Sequence, residues 1–166
     1  MGKVSLAEMA SKAQRYQDAG AEIAAVLEGE TNFTARMATV VAMLAAAFEE
    51  FLWTGFYLVD PAKKDELVVG PYQGTLGCLR IAFGRGVCGT AAREGRTILV
   101  DDVEAFGGHI ACDSRSRSEI VTPVRDSAGA LIAVLDVDSA DLAAFDADDA
   151  AGLEAIVARV FAEEGG

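Results

Sequence analysis

The chain has 166 residues, a hydrophobic fraction of 52% and a formal net charge of −12. This length suits one domain with a sizeable core, and the composition excludes disordered and fibrous classes. The acidic excess, 26 acidic against 14 basic residues, argues against nucleic acid and anionic membranes as partners and leaves room for a pocket that receives a cationic group.

The N-terminal segment Met1-Gly-Lys-Val-Ser-Leu-Ala-Glu8 lacks the apolar stretch of a secretory signal, so a soluble, cytoplasmic protein is expected. Thiols stay reduced there, so structural disulfides are not expected. Ser5-Leu-Ala-Glu8 has the form of a capping box and predicts a helix running towards Leu27, ended by Gly29. Residues 1–28 thus read as an N-terminal helix and 29–166 as the main domain, within one structural unit. Thr31-Asn32 caps a second helix, in which Phe33, Met37, Val40, Val41, Leu44 and Phe48 recur at helical spacing. Its apolar run, Met37 to Phe48, is too short to span a bilayer.

Strand signals follow. Trp53 to Leu58 and Leu67 to Val69 flank a charged turn at 61–65 and predict a hairpin. Leu79 to Phe83, Thr97 to Val100, Glu119 to Val124 and Ala130 to Val137 bring the strands to six. The last two are joined by Asp126-Ser-Ala-Gly129, a turn-forming connection that suggests another hairpin. Asp146 caps a final helix with Leu153, Ile156, Val157, Val160 and Phe161 on one face. Hairpins flanked by helices predict an α+β domain with an antiparallel sheet.

Three cysteines, Cys78, Cys88 and Cys112, are too many for one simple disulfide and too few for a four-thiolate metal site. The count suggests a thiol that reacts and partners that resolve it. Cys112 sits in Gly107-Gly-His-Ile-Ala-Cys-Asp113, among small residues and one position before an acid. His109 is the sole histidine; with no paired-cysteine motif, no metal site is expected, and His109 reads as orienting the Cys112 loop. Gly84-Arg-Gly-Val-Cys-Gly89 matches a dinucleotide-binding pattern. The next strand begins at Thr97, too soon for a crossover helix, and Asp101 and Asp102 come too early for a ribose-binding acid. A tight turn whose backbone N–H groups line a pocket is the better reading. It sets Cys88 in a helix N-terminal turn, where partial positive charge favours a thiolate. Asp136 and Asp138 lie two apart on a strand and share a face. Alternation alone fits two solvated residues equally well, and composition alone makes Trp53 a core residue.

The segments Trp53-Thr-Gly-Phe-Tyr57, Gly70-Pro-Tyr-Gln-Gly74, Gly84-Arg-Gly-Val-Cys-Gly-Thr90, Gly108-His-Ile-Ala-Cys-Asp113, Ser118-Glu-Ile120 and Leu135-Asp-Val-Asp-Ser139 together resemble the free methionine-(R)-sulfoxide reductases, single-domain proteins of the GAF fold. The match runs from Gly29 onward and is densest from Trp53 to Ser139. The charged turn at 61–66 is longer than is typical, and Thr122 stands where an aliphatic residue is expected. The resemblance implies that Cys112 attacks the sulfoxide sulfur, releasing methionine and becoming a sulfenic acid. It implies that Cys78 is the main resolving thiol and Cys88 a second route or relay, with thioredoxin as the external reductant and no bound cofactor. Glu119 and Asp138 would lie near the sulfoxide oxygen and Asp136 near the substrate ammonium. Three carboxylates around one small pocket would keep at least one of them protonated. Trp53 would form the wall against the methyl and sulfur. GAF domains often pair through helices, and the apolar Phe33–Phe48 segment leads to the expectation of a homodimer. The alternative is a non-catalytic small-ligand sensor, which has no need of three cysteines.

Overall fold

The computed structural model describes residues 10–108 and 113–162. Helix α1 spans Lys12–Val26, and its N-cap is Ser11, whose side chain accepts from the Gln14 N–H at 3.1 Å. The expected capping box at Ser5 lies outside the described residues. Ala10 and Ser11 are not helical, so the expected continuous helix from Ser5 is corrected to one that starts at Lys12. Gly29, at φ 78°, turns the chain away beyond the helix end. Helix α2, Phe33–Ala47, is capped as expected by Asn32, which accepts from the Ala35 N–H at 2.9 Å. Met37, Val40, Val41 and Leu44 are buried, as is Phe48 just beyond the helix. The exposed strip of this helix carries Ala38, Ala42 and Ala46.

The strands are β1 Trp53–Val59, β2 Glu66–Gln73, β3 Arg80–Ala82, β4 Ile98–Val100, β5 Ser118–Arg125 and β6 Leu131–Ser139. They form one six-stranded antiparallel sheet in the order β3-β2-β1-β6-β5-β4. Both expected hairpins are present. At the β5–β6 turn, Asp126 Oδ1 accepts from the N–H groups of Ala128 and Ala130. Strand β2 runs past the expected Val69, through Gly70 and Pro71, residues that read locally as breakers. Its pairing with β3 covers only Glu66 to Val68, so Pro71 lies where β3 claims no N–H from it. Helix α3, Gly86–Glu94, leads into β4, and α4, Ala147–Val157, continues as a π-helical turn at Ala158–Ala162. Asp146 and Asp149 close a capping box at the start of α4. No described helix is long and apolar enough to cross a membrane.

The sheet separates two apolar clusters. On one face Phe56, Ile120, Leu135 and Val137 pack against Tyr16 and Ile23 of α1, Val40 and Leu44 of α2, and Leu153 and Ile156 of α4. On the other face Trp53, Tyr57, Val121 and Val134 pack against Val87, Cys88 and Ala91 of α3. Strand alternation assigns each residue to its face. It also decides where the acids go, because Asp136 and Asp138 continue the face of Val134, and Glu119 that of Val121.

Candidate active site

A pocket opens on the α3 side of the sheet, lined by Trp53, Tyr57, Cys78, Cys88, Glu119, Asp136 and Asp138, with Arg85, Asp113 and Ser116 completing its polar lining. The sheet register builds it. Asp138 of β6 lies opposite Glu119 of β5 on one side and Trp53 of β1 on the other, and Asp136 lies opposite Val121 and Gly55. Glu119 and Asp136 are each 5% exposed, Trp53 and Cys88 each 4%. Asp138 is half-buried and accepts from Ser116 Oγ at 3.1 Å.

The aromatic wall depends on a glycine. Trp53 stacks on Tyr57 and Tyr72 at ring-centroid distances of 5.7 and 5.1 Å, and its Nε1 donates to the Thr75 carbonyl at 2.9 Å. A Cβ at Gly55 would stand 2.6 Å from the Trp53 ring and 2.3 Å from Tyr72 Cβ, so only glycine lets the indole lie across β1. The second glycine motif also serves close packing: a Cβ at Gly89 would stand 2.4 Å from the Ala82 carbonyl oxygen. With α3 only 9 residues long, the turn brings Cys88 under the sheet and forms no dinucleotide crossover.

Burial decides the protonation of this cluster. Glu119 is pushed up to about 8, first by loss of water and then by the neighbouring Asp138 charge. Asp136 and Asp138 are likewise held well above the usual carboxylate range, by burial and then by Glu119 and Asp136 respectively. The expectation of a thiolate-favouring Cys88 is corrected here. Its thiol does sit in the first turn of α3, but burial, followed by the charges of Asp136, Glu119 and Asp138, pushes it well up. A helix terminus supplies only about half a positive charge, which does not offset three carboxylates and a lost hydration shell. Cys88 Sγ lies 3.9 Å from Glu119 Oε1. Burial also pushes the Tyr57 hydroxyl up, reinforced by Asp136.

Of the residues singled out from sequence, Cys78, Cys88, Trp53, Glu119, Asp136 and Asp138 meet around this one pocket. Cys112 and His109 lie outside the described residues. Asp113, adjacent to Cys112 in sequence, accepts from Thr75 Oγ1 at 2.6 Å and from Arg115 Nη2 at 2.8 Å. Those bonds, Arg115 first, hold its carboxyl well below the usual range. Tyr57 and Ser116 were not anticipated. Tyr57 shares strand parity with Trp53 and was readable in principle; Ser116 precedes its strand and carries no periodic signal. Nor was a metal-ligating set expected. Among the described residues, Cys88, Glu119 and Asp136 each offer one ligand atom, all within 4.8 Å of one another.

A family model of the GAF domain matches residues 34–160. Free methionine-R-sulfoxide reductase of Escherichia coli is 41% identical over 150 residues, covering 90% of this chain and 88% of that protein. GAF domain-containing protein A of Dictyostelium discoideum is 50% identical over 139 residues, covering 84% and 85%. The X-ray structure of free methionine-R-sulfoxide reductase from Neisseria meningitidis, in complex with its substrate, superposes with a TM-score of 0.86 at 47% identity, covering 91% of this chain and 89% of that one. On family model, identity and superposition alike, the chain belongs to the GAF-domain family and, within it, to the free methionine-R-sulfoxide reductases.

Proposed function

We propose that the chain reduces free methionine-R-sulfoxide to methionine, with its own thiols as the immediate reductant and thioredoxin as the external one. The observation that carries this reading is the convergence of Glu119, Asp136 and Asp138 beside the Trp53 wall, with Cys78 and Cys88 in the same lining. The Cys112 thiolate attacks the sulfoxide sulfur while Glu119, protonated, donates to the departing oxygen. The protonated oxygen passes to the Cys112 sulfur as the new sulfur–sulfur bond breaks, so methionine leaves and Cys112 is left as a sulfenic acid. The Cys78 thiol condenses with it, water departs and a Cys78–Cys112 disulfide forms. A thioredoxin dithiol then takes over the disulfide and restores both thiols.

Recognition follows from charge. Asp136 Oδ1 is buried and has no hydrogen-bond partner, an acceptor suited to the substrate ammonium. Asp138 joins Glu119 at the sulfoxide oxygen, and the indole of Trp53 receives the methyl and sulfur. Leu76 and Leu79, 78% and 71% exposed, flank Cys78 and offer an apolar landing for the reductant protein. Thiols of the chain that are returned to the reduced state by thioredoxin suit a reducing, cytoplasmic setting.

The test is turnover of the separate sulfoxide epimers of free methionine with dithiothreitol or thioredoxin. The expected result is methionine from the R epimer alone, and none in any cycle from Cys112→Ser. Single-turnover methionine from the Cys112→Ser protein removes Cys112 from the attacking role, and equal rates on free and N-acetylated substrate remove the free-amino-acid reading.

A further inference from the structure

We propose that Cys88, Glu119 and Asp136 form a binding site for a thiophilic divalent cation, zinc or cadmium, at the floor of this pocket, and that the bound cation excludes the sulfoxide substrate. The binding stands on geometry alone; the exclusion rests on the reductase reading.

The three ligand atoms come from α3, β5 and β6, and all lie within 4.8 Å of one another. Cys88 Sγ and Glu119 Oε1 are 3.9 Å apart. Tetrahedral zinc, with Zn–S about 2.3 Å and Zn–O about 2.0 Å, holds sulfur and oxygen about 3.5 Å apart. That pair therefore closes on an ion by a few tenths of an ångström. A second observation points to a missing cationic partner: Asp136, 5% exposed, keeps Oδ1 buried with no hydrogen bond. Such an atom retains its full desolvation cost until a donor or a cation meets it. One thiolate and two carboxylates favour zinc and cadmium over magnesium and calcium, which take oxygen ligands. Asp138, on the same face two residues from Asp136, leaves the fourth position to its own oxygen or to water. The cation and the substrate ammonium would both neutralise Asp136, so the two compete.

The test uses Cys78→Ser/Cys112→Ser protein, which keeps Cys88 as its only thiol. Cadmium is titrated while the ultraviolet thiolate-to-metal charge-transfer band is followed. The expected result is a band that saturates at equimolar cadmium, is lost on adding Cys88→Ser, and needs at least about tenfold more cadmium with Asp136→Asn. Circular dichroism of each variant establishes that the fold persists, and Glu119→Gln, nearly isosteric, serves as the second ligand variant. No band in the double variant, or an unchanged midpoint in both ligand variants, overturns the site. Adding free methionine-R-sulfoxide should raise the cadmium midpoint in proportion to its concentration. A midpoint that does not move overturns the exclusion, while the band itself still reports the metal site if the reductase reading is wrong.

Discussion

Glu119 stands at the start of β5, directly across from Asp138, and burial with that neighbour pushes its carboxyl from an ordinary 4.5 to about 8. An unfolded chain gives up this proton near 4.5, whereas the folded chain keeps it to about 8. Between those values the folded state binds more protons, so stability falls as pH rises through the window, by up to about 1.4 kcal/mol per pH unit. Glu119→Gln removes this liability. Calorimetry should show its Tm rising relative to wild type at pH 8 and much less at pH 5, while turnover collapses. A lower Tm than wild type at pH 8 would show that the side chain is charged and well served there. The same proton should make wild-type kcat decline as pH passes above about 8. Asp138→Asn should lower kcat more than it raises KM, because a group acting on the oxygen is felt mainly in the transition state; the reverse pattern moves it to the ammonium. Cys88, buried with its thiol pushed well up, is poorly prepared to resolve a sulfenic acid. Cys78→Ser should therefore release the first methionine and then stall with thioredoxin. Peptide mapping of oxidised wild type that finds Cys88–Cys112 alone would transfer the resolving role to Cys88.

Among the elements, the strands were legible wherever aromatic and β-branched runs stood between turn residues, and the parity of β6 correctly set Asp136 and Asp138 on one face. Local pattern failed where distant partners decide. Ser5 and Ser11 can both cap a helix, and the start at Lys12 is held by its ammonium, 2.7 Å from Asp149 Oδ2 on α4. Cys88 read as activated by its helix because the acids that oppose it come from β5 and β6. Strand β2 outran its apparent breakers because β3 leaves Pro71 unpaired on that side. Thr122, noted in sequence for standing where an aliphatic residue is expected, is fully buried in β5 with Oγ1 lacking a partner. Its strand parity turns it to the face of Ile120 and Val124, in the apolar cluster. Thr122→Val keeps the shape and removes an unsatisfied hydroxyl, so it should stabilise by about 1–2 kcal/mol and raise Tm by several degrees, without changing kcat. A drop in Tm would mean that the hydroxyl finds a partner in solution.

For the whole molecule the question is whether the chain divides at Gly29, as an N-terminal helix followed by a catalytic domain. The packing argues that the helix layer is incomplete without α1. Tyr16, Ala19 and Ile23 belong to the same cluster as Phe48, Phe56 and Leu153. The Tyr16 ring stacks on Phe48 at 4.5 Å, and its hydroxyl donates to Asp149 Oδ1 at 2.6 Å. Arg15 lies over the opposite helix end, its guanidinium carbon 4.6 Å from the Phe48 ring centre and paired with Glu50 at 3.0 Å. Burying a large apolar side chain is worth about 1.5–3 kcal/mol, and a domain has only about 5–15 kcal/mol in total. Losing two such side chains, and leaving Asp149 buried without its partners, removes a large share of that stability. A fragment of residues 29–166 should therefore lose its sharp thermal transition and its near-ultraviolet circular dichroism, although it retains every candidate catalytic residue. Tyr16→Phe in the full chain separates the contributions. It keeps the ring and removes the hydrogen bond, and should destabilise by about 1–3 kcal/mol with kcat unchanged, since Tyr16 lies on the far side of the sheet from the pocket. A fragment that melts as sharply and as high as the full chain would make α1 an appendage, and the GAF core would then begin at α2.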